Sequence, residues 1–507
     1  MLVQPDRRQR LTNLGRWLGF LVLSWVVLRP ALLITISLDD FINPFYVYDK
    51  YGSNPWHVAS RATADVFRNG HFNVVGQVFG AAVFASWNYL ISWGVRYSLI
   101  YATTKFIVIV GCALDGARLL RTLGLLLGRP LSVWRARVVV AAVLLPTLQI
   151  HVPWGLDPVG SFPLYGYLPA ALGLLALDCA VRALQRVDIR SALVASAALC
   201  AAILYYEINV AVVVALVPVL VLLLVRTRRS WSSSSSLRPV IRQALLIGVV
   251  PAVMTLVLIV VAKRTNQGYT GTDVDVGGVS AGLLARTVGG SLPASAWGAA
   301  HDWLGGPFGL TAVTVVSSLI VVAAIVWAAW QPAPRSSSAC RWWEVLLVAA
   351  VPAVVWLAAT LIQTVTSKVN VDTKQIGYVY TYYAYGSIGV VLAAIVIGQA
   401  LSGRRLWTRA KPLLVVAAVV FTVAQIAIND TVTRAFDTGF AVNSRLLIAA
   451  SSPPPEPQRC QLLRDWVYGT RILPDYYHQD MIDGLNATFR DHFDELFCSE
   501  PVAPSAG

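Results

Sequence analysis

Charge is what this chain has least of. Only 13% of its 507 residues are charged, against 56% hydrophobic, and the mean hydropathy is +0.63. That balance excludes a soluble globular protein of any size and leaves a polytopic membrane protein. Lysine is almost missing, with 6 lysines to 34 arginines. With spans dominated by Ala, Val and Leu, that ratio is the codon bias of a GC-rich bacterial genome, so the expected location is a bacterial plasma membrane. No small-residue cleavage site follows the first apolar run, which therefore reads as an uncleaved signal anchor. Repeats at a fixed period are absent, which weighs against inverted-repeat transporter folds. Aromatic and basic residues are not interleaved, so the net charge of +14 gives no reason to expect nucleic acid. Cysteines number six. Cys112, Cys179, Cys200 and Cys340 lie in spans or inside and show no metal-ligand spacing. Cys460 and Cys498 share the outer tail, so a disulfide between them is expected.

Apolar stretches near the ~20 residues that cross a bilayer number about eleven: 17–38, 98–117, 136–151, 166–184, 191–206, 208–225, 240–262, 308–330, 345–366, 381–401 and 412–429. The expected fold is all-α, with residues 1–429 as a multi-pass domain and 430–507 as a small soluble outer segment. Arginines gather in short loops on one side, for example Arg118, Arg121, Arg129, Arg135 and Arg137. By the positive-inside rule that side is cytoplasmic, the N-terminus with it and the C-terminus outside. In the first outer segment, Trp56–Arg68 and Val74–Leu90 read as helices lying at the interface. Arg29, beside Pro30 in the first span, either snorkels, kinks the helix or pairs within the bundle.

Asp39 and Asp40 stand where the first apolar run is expected to reach the far side. Two adjacent carboxylates there are either a solvated helix end or a functional pair meeting a cation, a phosphate or a substrate hydroxyl. An enzyme on that side has no nucleoside triphosphates, so it needs a lipid-carried or otherwise activated donor.

The arrangement resembles the GT-C class of integral membrane glycosyltransferases: a cytoplasmic N-terminus, a first span ending in Leu38-Asp39-Asp40-Phe41, a long first outer loop with interfacial helices, and a soluble outer tail. Within it the chain is most similar to the O-antigen glucosyltransferases that use undecaprenyl-phosphate glucose. The stretches Pro153-Trp154-Gly155-Leu156-Asp157-Pro158 and Leu204-Tyr205-Tyr206-Glu207-Ile208-Asn209 carry that similarity, which covers roughly the first 230 residues. It implies transfer of a sugar from a polyprenyl-phosphate donor to an envelope glycan or lipid acceptor, with inversion. A carboxylate then takes the proton of the attacking hydroxyl. Asp40 is the expected base, with Asp39 orienting it or holding a divalent cation such as Mg or Mn; one acidic pair serves either role.

The leaving phosphate needs a cation. Outer candidates are Lys50, Arg61, Arg68, Lys263, Arg264, Lys368 and Lys374, of which Lys368 and Lys374 precede the aromatic run Tyr378, Tyr380, Tyr382, Tyr383 and Tyr385. These are read either as a phosphate and sugar site or as an interfacial aromatic belt. Glu207 is the one charged residue between Arg190 and Arg226; it either binds acceptor hydroxyls, pairs with an outer lysine, or is a solvated turn residue. Asp157 reads as a turn former, and His57 and His71 as ordinary interfacial polar residues. A transporter or flippase, or a polysaccharide polymerase, remains the alternative. Deep charges marking a transport path are few, chiefly Arg29, Lys105, Asp178 and Glu344.

Overall fold

The computed structural model describes residues 7–52, 54–149, 159, 163–229, 237–268, 273–293, 297, 301, 309, 311–331, 340–367, 369, 383–402, 405–470 and 475–502. Among them ten helices are long and apolar enough to cross a membrane, and the isolated bridge Val274 to Thr366 is the one extended pairing. The chain is thus a helical, polytopic membrane protein.

The first helix, α1 (Arg7–Leu33), stops five residues short of the expected end, and α2 (Leu38–Tyr51) starts a new direction from an N-cap at Ser37. Pro30 deprives α1 of one backbone donor. Beside it, buried Gln149 reaches into the helix: its Oε1 accepts from Ala31 N at 3.2 Å and its Nε2 donates to Val27 O at 2.8 Å. Arg29 pairs within the bundle, 3.5 Å from Asp430.

Next come α3 (Pro55–Arg68), α4 (Val74–Ser92) and α5 (Tyr97–Leu126). Asn54 caps α3 by accepting from Trp56 N and His57 N, with Pro55 preorganised at the first position. Helix α4 is long and apolar enough to cross, yet both its ends meet the same end of the bundle. In its first turns Gly76 lies against the backbone of Tyr205 and Gly80 against the Tyr165 hydroxyl, with no room for a Cβ at either. Just past its last turn, Gly94 faces Ser451 O and α5 begins. Tyr205 and Tyr165 belong to that same end, because the Tyr205 hydroxyl donates to Leu164 O at 3.0 Å. So α4 lies across the bundle, and exposed Trp56, Phe79 and Trp93 suit an interfacial layer.

The expected span 136–151 is a compound helix: α6 (Val133–Val139), a π-helical turn (Val140–Leu144) and α7 (Leu145–Leu148). Then follow α8 (Pro163–Arg186), α9 (Ile189–Tyr205), a 3₁₀ turn (Glu207–Asn209), α10 (Val210–Val214), α11 (Leu216–Arg229) and α12 (Leu237–Thr265). The core forms where α5 packs along α8, with Gly116 of α5 facing Leu174 of α8 and Leu144 of the π-helical turn. Asn209 ties this region together: its Nδ2 donates to Pro169 O and Ala202 O, at 3.1 and 2.9 Å.

The second half holds α13 (Ala281–Gly290), α14 (Ala312–Trp330), α15 (Trp342–Thr364), α16 (Tyr383–Leu401) and α17 (Arg405–Gly439). Helix α17 continues well past the apolar stretch 412–429. The charges that end the hydropathy run are satisfied sideways, Asp430 by Arg29 and Thr314, and Asp437 by Thr35. The tail is helical: α18 (Ala441–Ser451), α19 (Glu456–Gly469) and α20 (Asp475–Phe493). A disulfide joins Cys460 to Cys498. Buried Arg459 draws the chain end back onto α19, donating to Phe497 O and Leu496 O, each at 2.9 Å.

The tail docks on α2 and α4. Gly484 meets the Phe45 backbone, Phe41 packs on Trp466 at 5.7 Å, and Asn88 donates to Thr488 Oγ1 at 2.8 Å. Residues 38–92 and 441–498 therefore share one side of the bundle.

Candidate functional site

The turn at residues 34–37 redirects the chain so that Asp40 falls in the first turn of α2, where a carboxylate complements the helix dipole. It is not the end of α1, as the apolar run alone implied. Asp40 is fully buried, under a row of side chains spaced one turn apart on α5: Tyr97, Tyr101 and Lys105. The Tyr97 hydroxyl donates to Asp40 O at 2.7 Å. The Tyr101 hydroxyl lies 3.4 Å from Asp40 Oδ2 and 3.2 Å from Val159 O. Having one proton, it serves one of these acceptors at a time. Lys105 is buried, with its ammonium 4.5 Å from the Tyr101 ring centre and 3.2 Å from Ile34 O. Trp87 fixes both tyrosines by edge-on contacts at 5.9 and 5.7 Å. Asp39 shares the backbone turn, but its side chain lies outside the described residues.

Tyr97, Tyr101 and Lys105 also wall a cavity of about 660 Å³, closed by residues 32–36 and by Ser444, Leu447 and Ser451 of α18. Asp40 does not line it. The two tyrosines stand between the carboxylate and that space.

Glu207 sits in the 3₁₀ turn and pairs with His71 Nδ1 at 2.6 Å, both half-buried. Among the described residues its ionic partner is this histidine and not a lysine. The pairing spans 136 residues, so nothing local in the sequence marked His71. The turn also receives α16: the Tyr385 hydroxyl donates to Asn209 Oδ1 at 2.9 Å. Tyr205, two residues before Glu207, lies within electrostatic reach of Asp40. Asp40, the Glu207–His71 pair and the start of α16 therefore belong to one layer beneath α4.

Of the cations expected to face outward, those among the described residues are mostly engaged. Lys50 lies 2.9 Å and Arg68 3.5 Å from Asp65, and the Tyr51 hydroxyl donates to Asp65 at 2.7 Å. Burial alone would raise the Asp65 carboxyl, but its bonds from Lys50 and Tyr51 bring it below the usual range. Arg61 donates to Lys50 O at 3.0 Å, and Lys263 meets Asp273 at 2.9 Å. Lys368, Lys374, Tyr378, Tyr380 and Tyr382 lie outside the described residues, as does Asp157.

The deep charges are paired within the bundle. Besides Arg29 and Asp430, Asp178 meets Arg182 at 2.9 Å and accepts from Thr122 at 2.5 Å, and Glu344 meets Arg226 at 2.8 Å. No protein-family model, no curated protein and no solved structure matches the chain.

Proposed function

We propose that this is a membrane glycosyltransferase of the GT-C kind, acting on the outer side of a bacterial plasma membrane. It would move a sugar from a polyprenyl phosphate to an envelope glycan or lipid. The observation that carries the reading is Asp40: a buried carboxylate with the Tyr101 hydroxyl 3.4 Å from its Oδ2 and the Tyr97 hydroxyl on its backbone carbonyl. A carboxylate so placed would act as a general base reached from the cavity through the Tyr101 hydroxyl, its position fixed before substrate arrives.

In the proposed step an acceptor hydroxyl attacks the anomeric carbon. The bond from that carbon to the phosphate oxygen breaks with its electron pair, leaving as polyprenyl phosphate, and the hydroxyl proton passes to the Tyr101 hydroxyl, which lines the cavity, as Tyr101 gives its own proton to Asp40. Glu207, oriented by His71, hydrogen-bonds the sugar or acceptor, while Lys368 and Lys374 remain the candidates for the phosphate. If Asp39 and Asp40 hold a divalent cation instead, its chemistry is neutralisation of that phosphate.

The test is sugar transfer from a polyprenyl-phosphate donor by purified protein in nanodiscs. Asp40→Asn removes the acceptor of the proton and keeps the size, so turnover is expected to fall about 10²–10⁴-fold. Full activity in a chelator retains the base and rejects the cation. Near-normal transfer by the Asp39→Asn/Asp40→Asn double variant overturns the assignment.

A further inference from the structure

At the opposite end of α5 from Asp40, four arginines from three segments converge. Arg16, Arg121, Arg135 and Arg137 line a cavity of about 770 Å³ together with Trp17 and Trp134, and no carboxylate occurs among its described lining residues. The guanidinium of Arg137 stacks 3.8 Å from the Trp17 ring centre, and Arg121 and Arg118 are near enough to repel it. Asp115, on the same helix as Arg121, is paired with Arg118 at 2.8 Å. Arg135 Nε is buried, with no hydrogen-bond partner among the described residues. Like charges gathered without a counter-ion among the described residues disfavour the fold that gathers them, and the shape supplies a reason to tolerate that.

Arg135 and Leu131 also line a second cavity of about 490 Å³, an apolar groove running up the bundle between α6, α14, α16 and α17 past Val143, Ile325, Val391 and Ile395. Leu414, at its rim, is 44% exposed, so the groove opens sideways. Arg129 stands at its basic mouth, its Nε likewise buried without a hydrogen-bond partner among the described residues.

We propose that this is a binding site for an anionic phospholipid, with the phosphate in the arginine cup and an acyl chain in the groove. Planar guanidinium groups bind phosphate oxygens in pairs, and a half-buried cup strengthens each contact. A basic pocket between spans with an apolar path leading from it matches a lipid of the anionic leaflet. A soluble phosphate would use the cup and ignore the groove, which makes the two separable.

Native mass spectrometry of the delipidated full chain, titrated with phosphatidylglycerol and with phosphatidylcholine, tests this. Phosphatidylglycerol is expected to bind at least about tenfold more tightly, the equivalent of one charge-assisted contact. Arg16→Ala/Arg135→Gln should bring the two lipids within about twofold. Ala394→Phe, which fills the groove and leaves every charge, should weaken phosphatidylglycerol and have no effect on inorganic phosphate. Arg186→Ala, exposed on the same end, should change nothing. If the double variant fails to fold, Arg16→Ala alone and Ala394→Phe carry the test. Equal binding of both lipids, or unchanged preference in the folded arginine variants, overturns the proposal. So does phosphatidylglycerol binding that survives Ala394→Phe while inorganic phosphate competes it away, the result expected of a free-anion cup.

Discussion

Gly484→Ala is a sharp test of how the tail is held. A Cβ at this position would lie 2.6 Å from the carbonyl carbon of Phe45 and 2.7 Å from its oxygen. Backbone cannot swing aside as a side chain does, and ordinary contact needs roughly 1 Å more, so α20 must move away from α2. Overpacking of this kind costs about 1–3 kcal/mol. The same displacement stretches the bond from Asn88 to Thr488 one turn further on, a buried contact whose loss adds about 1–3 kcal/mol. Alanine's better helix propensity returns about 1 kcal/mol. The expected net is a destabilised tail interface of roughly 1–5 kcal/mol, summed from those ranges. Hydrogen exchange on purified protein reads it directly: backbone amides of α2 and α20 should exchange faster while α5 and α8 stay protected. Gly469→Ala, where nothing stands within 4 Å, is the matched control and should leave exchange unchanged. Equal protection of α2 and α20 in both variants would refute the reasoning, because the docking would then not depend on close backbone approach.

Reducing the Cys460–Cys498 bond opens a loop with a sequence separation of 38, worth about 4 kcal/mol by chain entropy; protease resistance of the tail should drop on adding reductant, and unchanged resistance counts against it. The docked surfaces also carry a pH dependence. Burial, with Asp483 adding to it and Arg490 opposing, raises the Asp49 carboxyl; burial, eased by Lys50 and reinforced by Asp483 and Asp49, raises Asp480. Folded carboxyls that hold protons more tightly than the unfolded chain add stability as pH falls through their raised values. Asp65, held low, keeps its contribution until pH drops below the ordinary value of about 4. His492, packed on Tyr48 and Tyr89 in the same interface, is lowered by burial and opposes this over the same window, so the readout is the difference between variants. Asp49→Asn should make docking loosen more on acidification than wild type between neutrality and about pH 4.5, by less than about 1 kcal/mol for groups this exposed, and an identical pH trend contradicts the assignment.

Composition by itself determined the class, because apolar length and the spacing of apolar residues are local properties that a membrane rewards directly. The extent of α3 was readable for the same reason, since Trp56–Arg68 has one apolar face, whereas its start at Pro55 under the Asn54 cap came from the structure. Val74–Leu90 is expected at the interface from its place in the chain, although it is apolar enough to cross; its glycines resting on Tyr205 and Tyr165 are what hold the helix across the bundle end, and those partners the sequence withheld. The break after Leu33 is hidden inside a continuous apolar run, so only the fold moves Asp40 from the end of one helix to the start of the next. Glu207 stood out as a lone charge, whereas His71, its partner, looked ordinary because it is brought there by the packing of α4 on α9. The arginine cup is the same lesson at the other end. Its members read as topology signals one by one, and become a site only when α1, α5 and α6 set four like charges around one cavity, a matter of distance in space that no window along the chain contains.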